Sequence, residues 1–298
     1  MAPSISHEGY GKPSYSYWDN FFALSAWRNC EFLAIEMGDL DVAAHAKAKG
    51  QEFAENLARS LRLTSARLGS RYIHGSADRE DLDPSSTSIA FEPCRVEDVL
   101  PREFLSSTYD VASRQIELIG KPGFIDAYTP YGIRNINAFA SLDRYEDAFQ
   151  LLSVALACRR PSGWRSWPEV VWGEPQSPEY IGDMPHTWIG AEFATAIRRM
   201  LLRENGDTLE LFRAVPDGWW EDEGVTLYEL PTTFGIANLR ARRDRSRVTI
   251  DLKLSGREPK RITFRYPGAK QARADGKLCD IHRDVISAPN FSRLIIDC

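Results

Sequence analysis

Glu169 lies in the segment Gly163-Trp164-Arg165-Ser166-Trp167-Pro168-Glu169-Val170-Val171-Trp172. A carboxylate among three indoles is partly desolvated, which suits proton transfer at a glycosidic bond. The bland reading is a loop glutamate with its carboxylate in water. A second acid stands in Tyr17-Trp18-Asp19-Asn20-Phe21-Phe22. An aspartate in the first turn of a helix favours the macrodipole. Beside aromatic rings it would equally grip sugar hydroxyls. Trp18, Trp27, Trp164, Trp167, Trp172 and Trp188 all fall near tyrosines and carboxylates. Such rings suit a saccharide, whose C–H faces stack on them while its hydroxyls bond polar groups. For any single ring, a place in the core is the competing reading.

Three further segments carry polar groups. Gly182-Asp183-Met184-Pro185-His186-Thr187-Trp188 leads into an apolar-periodic run, with Pro185 at the first helical position. A lone histidine there is either a hydrogen-bonded structural residue or a sugar contact. Tyr128-Thr129-Pro130-Tyr131-Gly132-Ile133-Arg134-Asn135 opens another helix. Arg134 and Asn135 would grip hydroxyls or cap loop carbonyls. Asp81-Leu82-Asp83-Pro84-Ser85-Ser86-Thr87-Ser88 reads first as turn chemistry. There is no HExxH, no His/Cys cluster, no P-loop, no GxGxxG and no GxSxG. Neither a metal nor an organic cofactor is expected.

Composition narrows the classes. The 298 residues are 43% hydrophobic and 27% charged, which excludes disorder or coiled coil as the main architecture. A net charge of -5, with both signs mixed along the chain, argues against a nucleic-acid partner. No run of about 18 apolar residues predicts a membrane span, and the opening residues lack a signal peptide's apolar core. The five cysteines, Cys30, Cys94, Cys158, Cys279 and Cys298, lie far apart without CxxC. That pattern argues against a disulfide framework and points to a reducing, cytoplasmic setting. Cys158 reads as a small core residue.

The candidates must be positioned by helices and then strands. Helices are expected at 17–36, 40–62, 102–119, 131–141, 144–157 and 186–204. Gly38-Asp39 would turn the first hairpin. Val42, Ala46, Phe53, Leu57 and Leu61 approximate one stripe of the second helix. Asp143 with Glu146 resembles a capping box. Residues 63–100 and 159–184 are long connections, a type that is often functional. Near Glu204–Asp207 the period changes to 2, as in Val248-Thr-Ile-Asp-Leu-Lys-Leu. The expected division is a helical domain over 1–205 and an antiparallel β-domain over 206–298.

Helical hairpins, an acid in a Trp-rich loop before the last helix, and a β-rich tail together resemble the six-hairpin glycosidases. These have an (α/α)6 barrel and include trehalases, glucoamylases and α-L-rhamnosidases. The resemblance implies an α+β multidomain chain: a partial (α/α) barrel followed by an antiparallel β-sandwich-like domain. It implies hydrolysis of a glycosidic bond with inversion, on an oligosaccharide or glycoside. Glu169 would be the base that activates water. Asp19 would be the acid or a substrate anchor, with Asp83 and Asp126 as poorer candidates for the acid. Tyr17, Trp18, Trp164, Trp167 and Trp172 would line the sugar site, and Arg134 and His186 would bond hydroxyls. The chain has fewer helices than a full barrel, so a partner chain or further N-terminal helices would cover the apolar wall left open. A non-catalytic saccharide-binding remnant is the alternative from another class, and a sugar phosphorylase ranks below it.

Overall fold

A computed structural model describes residues 2–5, 11–119, 127–161, 163–172 and 182–298, with only the backbone described at 127, 128, 171 and 172. Asp126 and the side chain of Trp172 therefore lie outside the described residues. The fold is α+β, with helices in the N-terminal part and β-sheets in the C-terminal part. The chain divides into two compact units. One comprises Met1–Ser141 with Gln150–Thr195, the other Leu142–Phe149 with Ala196–Cys298.

Seven α-helices are present among the described residues. They are α1 (Tyr17–Glu36), α2 (Leu40–Arg67), α3 (Pro84–Ser88), α4 (Arg102–Leu118), α5 (Asn135–Ser141), α6 (Tyr145–Ala157) and α7 (Thr187–Leu201). In the first unit, α1 and α2 pack as a hairpin around Gly38, whose φ of 75° a side chain would resist. Asp39 caps α2 by accepting the Val42 N–H at 3.1 Å. The buried stripe of α2 runs through Ala43, Ala46, Gly50, Leu57, Leu61 and Thr64. Val42, expected on that stripe, is exposed. The buried stripe begins one residue later, at Ala43. Gly50 admits Trp27 of α1, whose Cβ would be only 3.4 Å from a side chain at that position.

The hydroxyl of Tyr17 is buried between Ser60 (2.9 Å) and Thr64 (2.8 Å) of α2. Burial pushes its phenol up from the ordinary value. Tyr17→Phe should lower the unfolding free energy by about 1–2 kcal/mol, because the buried Thr64 hydroxyl loses a partner. A urea midpoint unchanged from wild type would contradict this. At the far end of the hairpin, Phe32, Leu33, Ile35, Met37 and Leu40 are each at least 51% exposed.

Within the connection between α2 and α4, Asp83 caps α3 and accepts bonds from the N–H groups of Ser85 (3.0 Å) and Ser86 (3.2 Å). It also accepts from both serine hydroxyls at 2.6 Å. Short as it is, α3 touches α1, α4 and α5. Ser88 donates to Asn135 Oδ1 at 2.7 Å and lies 3.0 Å from the Tyr109 hydroxyl. One buried polar chain thus ties α3, α4 and α5 together. Two short strands, β1 (Ala127–Tyr128) and β2 (Val171–Trp172), pair antiparallel.

Helix α7 ends at Leu201, three residues before its expected end. The next residues form strand β3 (Leu202–Asn205), which pairs with β4 (Thr208–Leu211) around Gly206 at φ 57°. The hairpin wins because Asn-Gly-Asp is a strong turn signal. Asp143 is at φ 60° and accepts from Arg213, so it is not the N-cap of α6 that its spacing to Glu146 suggests.

The remaining strands are β5 (Val225–Thr232), β6 (Gly235–Asp244), β7 (Arg247–Leu254), β8 (Arg261–Arg265), β9 (Gln271–Ala274), β10 (Lys277–Leu278), β11 (Asp280–His282), β12 (Val285–Ala288) and β13 (Arg293–Asp297). One sheet has the order β10-β9-β13-β7-β6-β5 and the other β11-β12-β8-β4-β3. Pairing is antiparallel except for β4 with β8, which is parallel. That exception arises because β5, β6 and β7 belong to the other sheet and intervene in sequence. Leu239, Ile250 and Leu294 of one sheet share a buried core with Leu211, Phe264 and Ile286 of the other. The two sheets therefore pack face to face.

Candidate functional site

The start of α7 is built from the loop that precedes it. The His186 N–H donates to the Trp167 carbonyl at 2.7 Å, and the Glu169 N–H to the Asp183 carbonyl at 3.1 Å. Residues 167–169 and 183–186 thus run side by side. The helix begins at Thr187, so Pro185 is not its first residue as expected, and His186 is the residue just before it. Its Nδ1 accepts the Ile189 N–H at 3.4 Å, as an N-cap would. In the neutral ring the proton then sits on Nε2, which donates to the Tyr131 hydroxyl at 3.0 Å. Both ring nitrogens of His186 are thus engaged at the helix start.

Tyr131 leads into a cluster. Its ring meets Trp188 at 5.3 Å, and Trp188 meets Trp18 of α1 at 6.1 Å, both edge to face. The Arg134 guanidinium lies over Trp18 (4.8 Å), Tyr131 (4.9 Å) and Trp188 (5.6 Å). Arg134 and Glu192 are both almost fully buried and form an ion pair at 3.2 Å. The Trp188 indole N–H also donates to Glu192, at 3.2 Å. A buried cation inside three ring faces is held by its carboxylate and by the ring quadrupoles. Trp188 is 40% exposed, so the cluster reaches the surface there.

Burial pushes the Glu192 carboxyl above the usual carboxylate range, while Arg134 pulls it down. Its folded value is raised, so folding takes up a proton at this group. Its contribution to stability is complete below the unfolded value of about 4.3 and is lost as pH rises through the folded value. The stability of wild type relative to Glu192→Gln should therefore fall as pH rises above about 4.3. Urea titrations across that range check this, and a pH-independent difference would contradict it.

The residues singled out from the sequence do not all meet. Trp18, Arg134 and His186 come together through Tyr131 and Trp188. Glu169 is tied to the same helix start: its Oε2 accepts the Asp183 N–H at 3.3 Å. Gly182, at φ 65°, lies so close that any side chain there would collide with the Glu169 carboxylate. Asp19 lies in the first turn of α1, next to Trp18, and accepts the Ser4 hydroxyl. Tyr17 points into the hairpin instead.

The tryptophans flanking Glu169 separate. Trp167 is 4% exposed, packs on Phe193 at 4.7 Å and donates to the Ala155 carbonyl at 2.6 Å. It shares its core with Cys158 and Ile189. Trp164 is 58% exposed and makes no ring contact among the described residues. Glu192 was missed by sequence reasoning, although a signal existed. It interrupts the apolar face Ile189, Phe193, Ala196 of α7, and an acid on such a face needs a buried partner.

Among the described residues, no group of histidine, cysteine, aspartate or glutamate side chains is arranged to hold a metal ion. None of the described helices is long and apolar enough to cross a membrane.

No protein-family model matches the chain, and no curated protein does. Among solved structures, the chain is similar to an α-L-rhamnosidase from Dictyoglumus thermophilum, with a TM-score of 0.54 and 8% sequence identity. The match covers 93% of this chain and 31% of that one, so the chain spans about a third of the length of its structural neighbour. The likeness is one of fold.

Proposed function

We propose that the chain is a glycoside hydrolase-like protein that cleaves a glycosidic bond with inversion. The observation that carries this reading is the fold likeness to a rhamnosidase over nearly the whole chain. The cluster at the start of α7 supports it, because aromatic rings, a buried arginine and carboxylates are the groups that hold sugars. In this reading a saccharide stacks on the exposed part of Trp188, and the buried Arg134, expected from the sequence to bond hydroxyls, instead holds that ring from beneath. Trp18 forms the inner wall, and His186 holds the phenol of Tyr131 in place. Glu192 orients Arg134. Trp167 supports the loop from below, while Trp164 and Trp172 belong to the loop that flanks the substrate. Tyr17 acts through the α1–α2 hairpin.

Glu169 is the base in this mechanism. It removes a proton from water as that water attacks the anomeric carbon. Asp19 gives a proton to the leaving oxygen, or else anchors the substrate. Inversion requires the two carboxyls to be about 6.5–9.5 Å apart, which leaves room for the water. A non-catalytic saccharide-binding protein is the second reading. The engagement of Asp19 by Ser4 favours it, since an acid held in a hydrogen bond is less free to protonate a leaving group.

The test is reducing-sugar release by the folded wild type from a panel of oligosaccharides and aryl glycosides, with sugar binding measured in parallel. Release from any member supports hydrolysis. Binding without release supports the second reading. Neither binding nor release overturns both.

A further inference from the structure

The β-sandwich carries a groove of its own, of about 820 Å³, on the outer face of the β11-β12-β8-β4-β3 sheet. Arg261, Thr263 and Arg265 alternate along one face of β8 and line it. Register extends these positions into rows. Arg265 is opposite Val285, and Val285 is opposite His282; Thr263 is opposite Ser287, and Ser287 is opposite Asp280. Arg283, in the turn between β11 and β12, joins the Arg265 end.

The charges here are unevenly spent. Lys260 is paired with Asp207 at 2.7 Å, and Asp143 is paired with Arg213. Among the described residues Arg261, Arg265 and Arg283 have no ion pair. Arg265 is nonetheless held in place, its guanidinium lying 4.1 Å from the centre of the Tyr145 ring. Four residue steps along the strand separate Arg261 from Arg265, a span of about 13 Å. The groove is therefore cationic at both ends. Between them lie the hydroxyls of Thr263 and Ser287 and the carboxylate of Asp280.

The geometry points to a binding site for an acidic oligosaccharide in which carboxylated sugars alternate with neutral ones. Planar guanidinium groups match carboxylates in bidentate fashion. The hydroxyls and Asp280 fit the neutral sugar between them, whose own hydroxyls would donate to Asp280. A uniformly charged polyphosphate would meet the Asp280 carboxylate in the middle. The groove acts independently of hydrolysis: a chain with no hydrolase activity would still bind.

Calorimetry with the full chain tests this. The probes are a tetrasaccharide alternating glucuronate with neutral N-acetylhexosamine, the same tetrasaccharide with its carboxyls reduced to alcohols, and tripolyphosphate. The acidic tetrasaccharide is expected to bind and the reduced one not to bind. Arg265→Gln and Arg283→Gln should each weaken binding by about tenfold or more. Arg242, on the outer face of the other sheet, makes no ion pair among the described residues, and Arg242→Gln should leave binding unchanged. Arg283 and Arg242 are exposed, so these two variants keep the fold. The proposal is overturned if the acidic tetrasaccharide does not bind or if the reduced one binds equally well. It is likewise overturned if Arg242→Gln weakens binding as much as Arg283→Gln, or if tripolyphosphate binds as tightly as the tetrasaccharide.

Discussion

Arg134→Met should destabilise the protein by about 3–5 kcal/mol at pH 7, the effect of removing one partner from a buried ion pair. The side chain is 3% exposed and Glu192 is 7% exposed, so water cannot replace the lost cation. Among the described residues, the carboxylate left behind would keep the Trp188 indole N–H as its hydrogen-bond donor. It escapes part of that cost by taking up a proton, and burial already favours its neutral form. The loss should therefore shrink as pH falls towards 4. Replacing both partners, Arg134→Met with Glu192→Met, should recover most of the loss, because no buried charge remains. Denaturant unfolding of the single and double variants at pH 7 and pH 4 reads all of this. A single variant as stable as wild type would show that the pair contributes nothing. A double variant less stable than the single one would show that Glu192 is held by groups other than Arg134.

Glu169→Gln is expected to lower the rate of glycoside hydrolysis by about 10²-fold or more while leaving the fold and sugar binding intact. The amide keeps the size of the side chain and its ability to accept the Asp183 N–H, but it cannot take a proton from water. A structural role would instead appear as lost stability with activity per folded molecule retained. Gly182→Ala is the companion test, since its methyl group would displace the Glu169 carboxylate without altering its chemistry. If Glu169 is the base, both variants lose kcat. If Glu169→Gln hydrolyses as fast as wild type, the base lies elsewhere, and Glu192 is then the first acid to examine.

The helices were legible because their signals are local. The Gly38-Asp39 turn supplies a positive φ and a cap in consecutive residues, and Tyr17–Glu36 forms the helix expected from it. The alternation of Val248, Ile250 and Leu252 was equally readable, since a strand with one buried face repeats every second residue. Shorter strands such as β9, β10 and β11 have two to four residues, too few for an alternation to stand out from its surroundings. The parallel pairing of β4 with β8 depends on which sheet the intervening strands join, and no local signal carries that.

The region around Glu169 divides along the same line. By itself the sequence determined that an acid sits in a Trp-rich loop before a helix, and that Asp19 opens a helix beside Trp18. Those are statements about neighbours along the chain. Only the tertiary structure decided which rings stay in the core and which reach the surface. Trp164 and Trp167 are three residues apart, yet one is exposed and the other is buried against Phe193. Only the tertiary structure, too, put Arg134 against Glu192 inside the rings of Trp18, Tyr131 and Trp188. The physical reason is that a buried charge is tolerated only when its partner is present, and here the partner of Glu192 on α7 comes from a distant part of the chain.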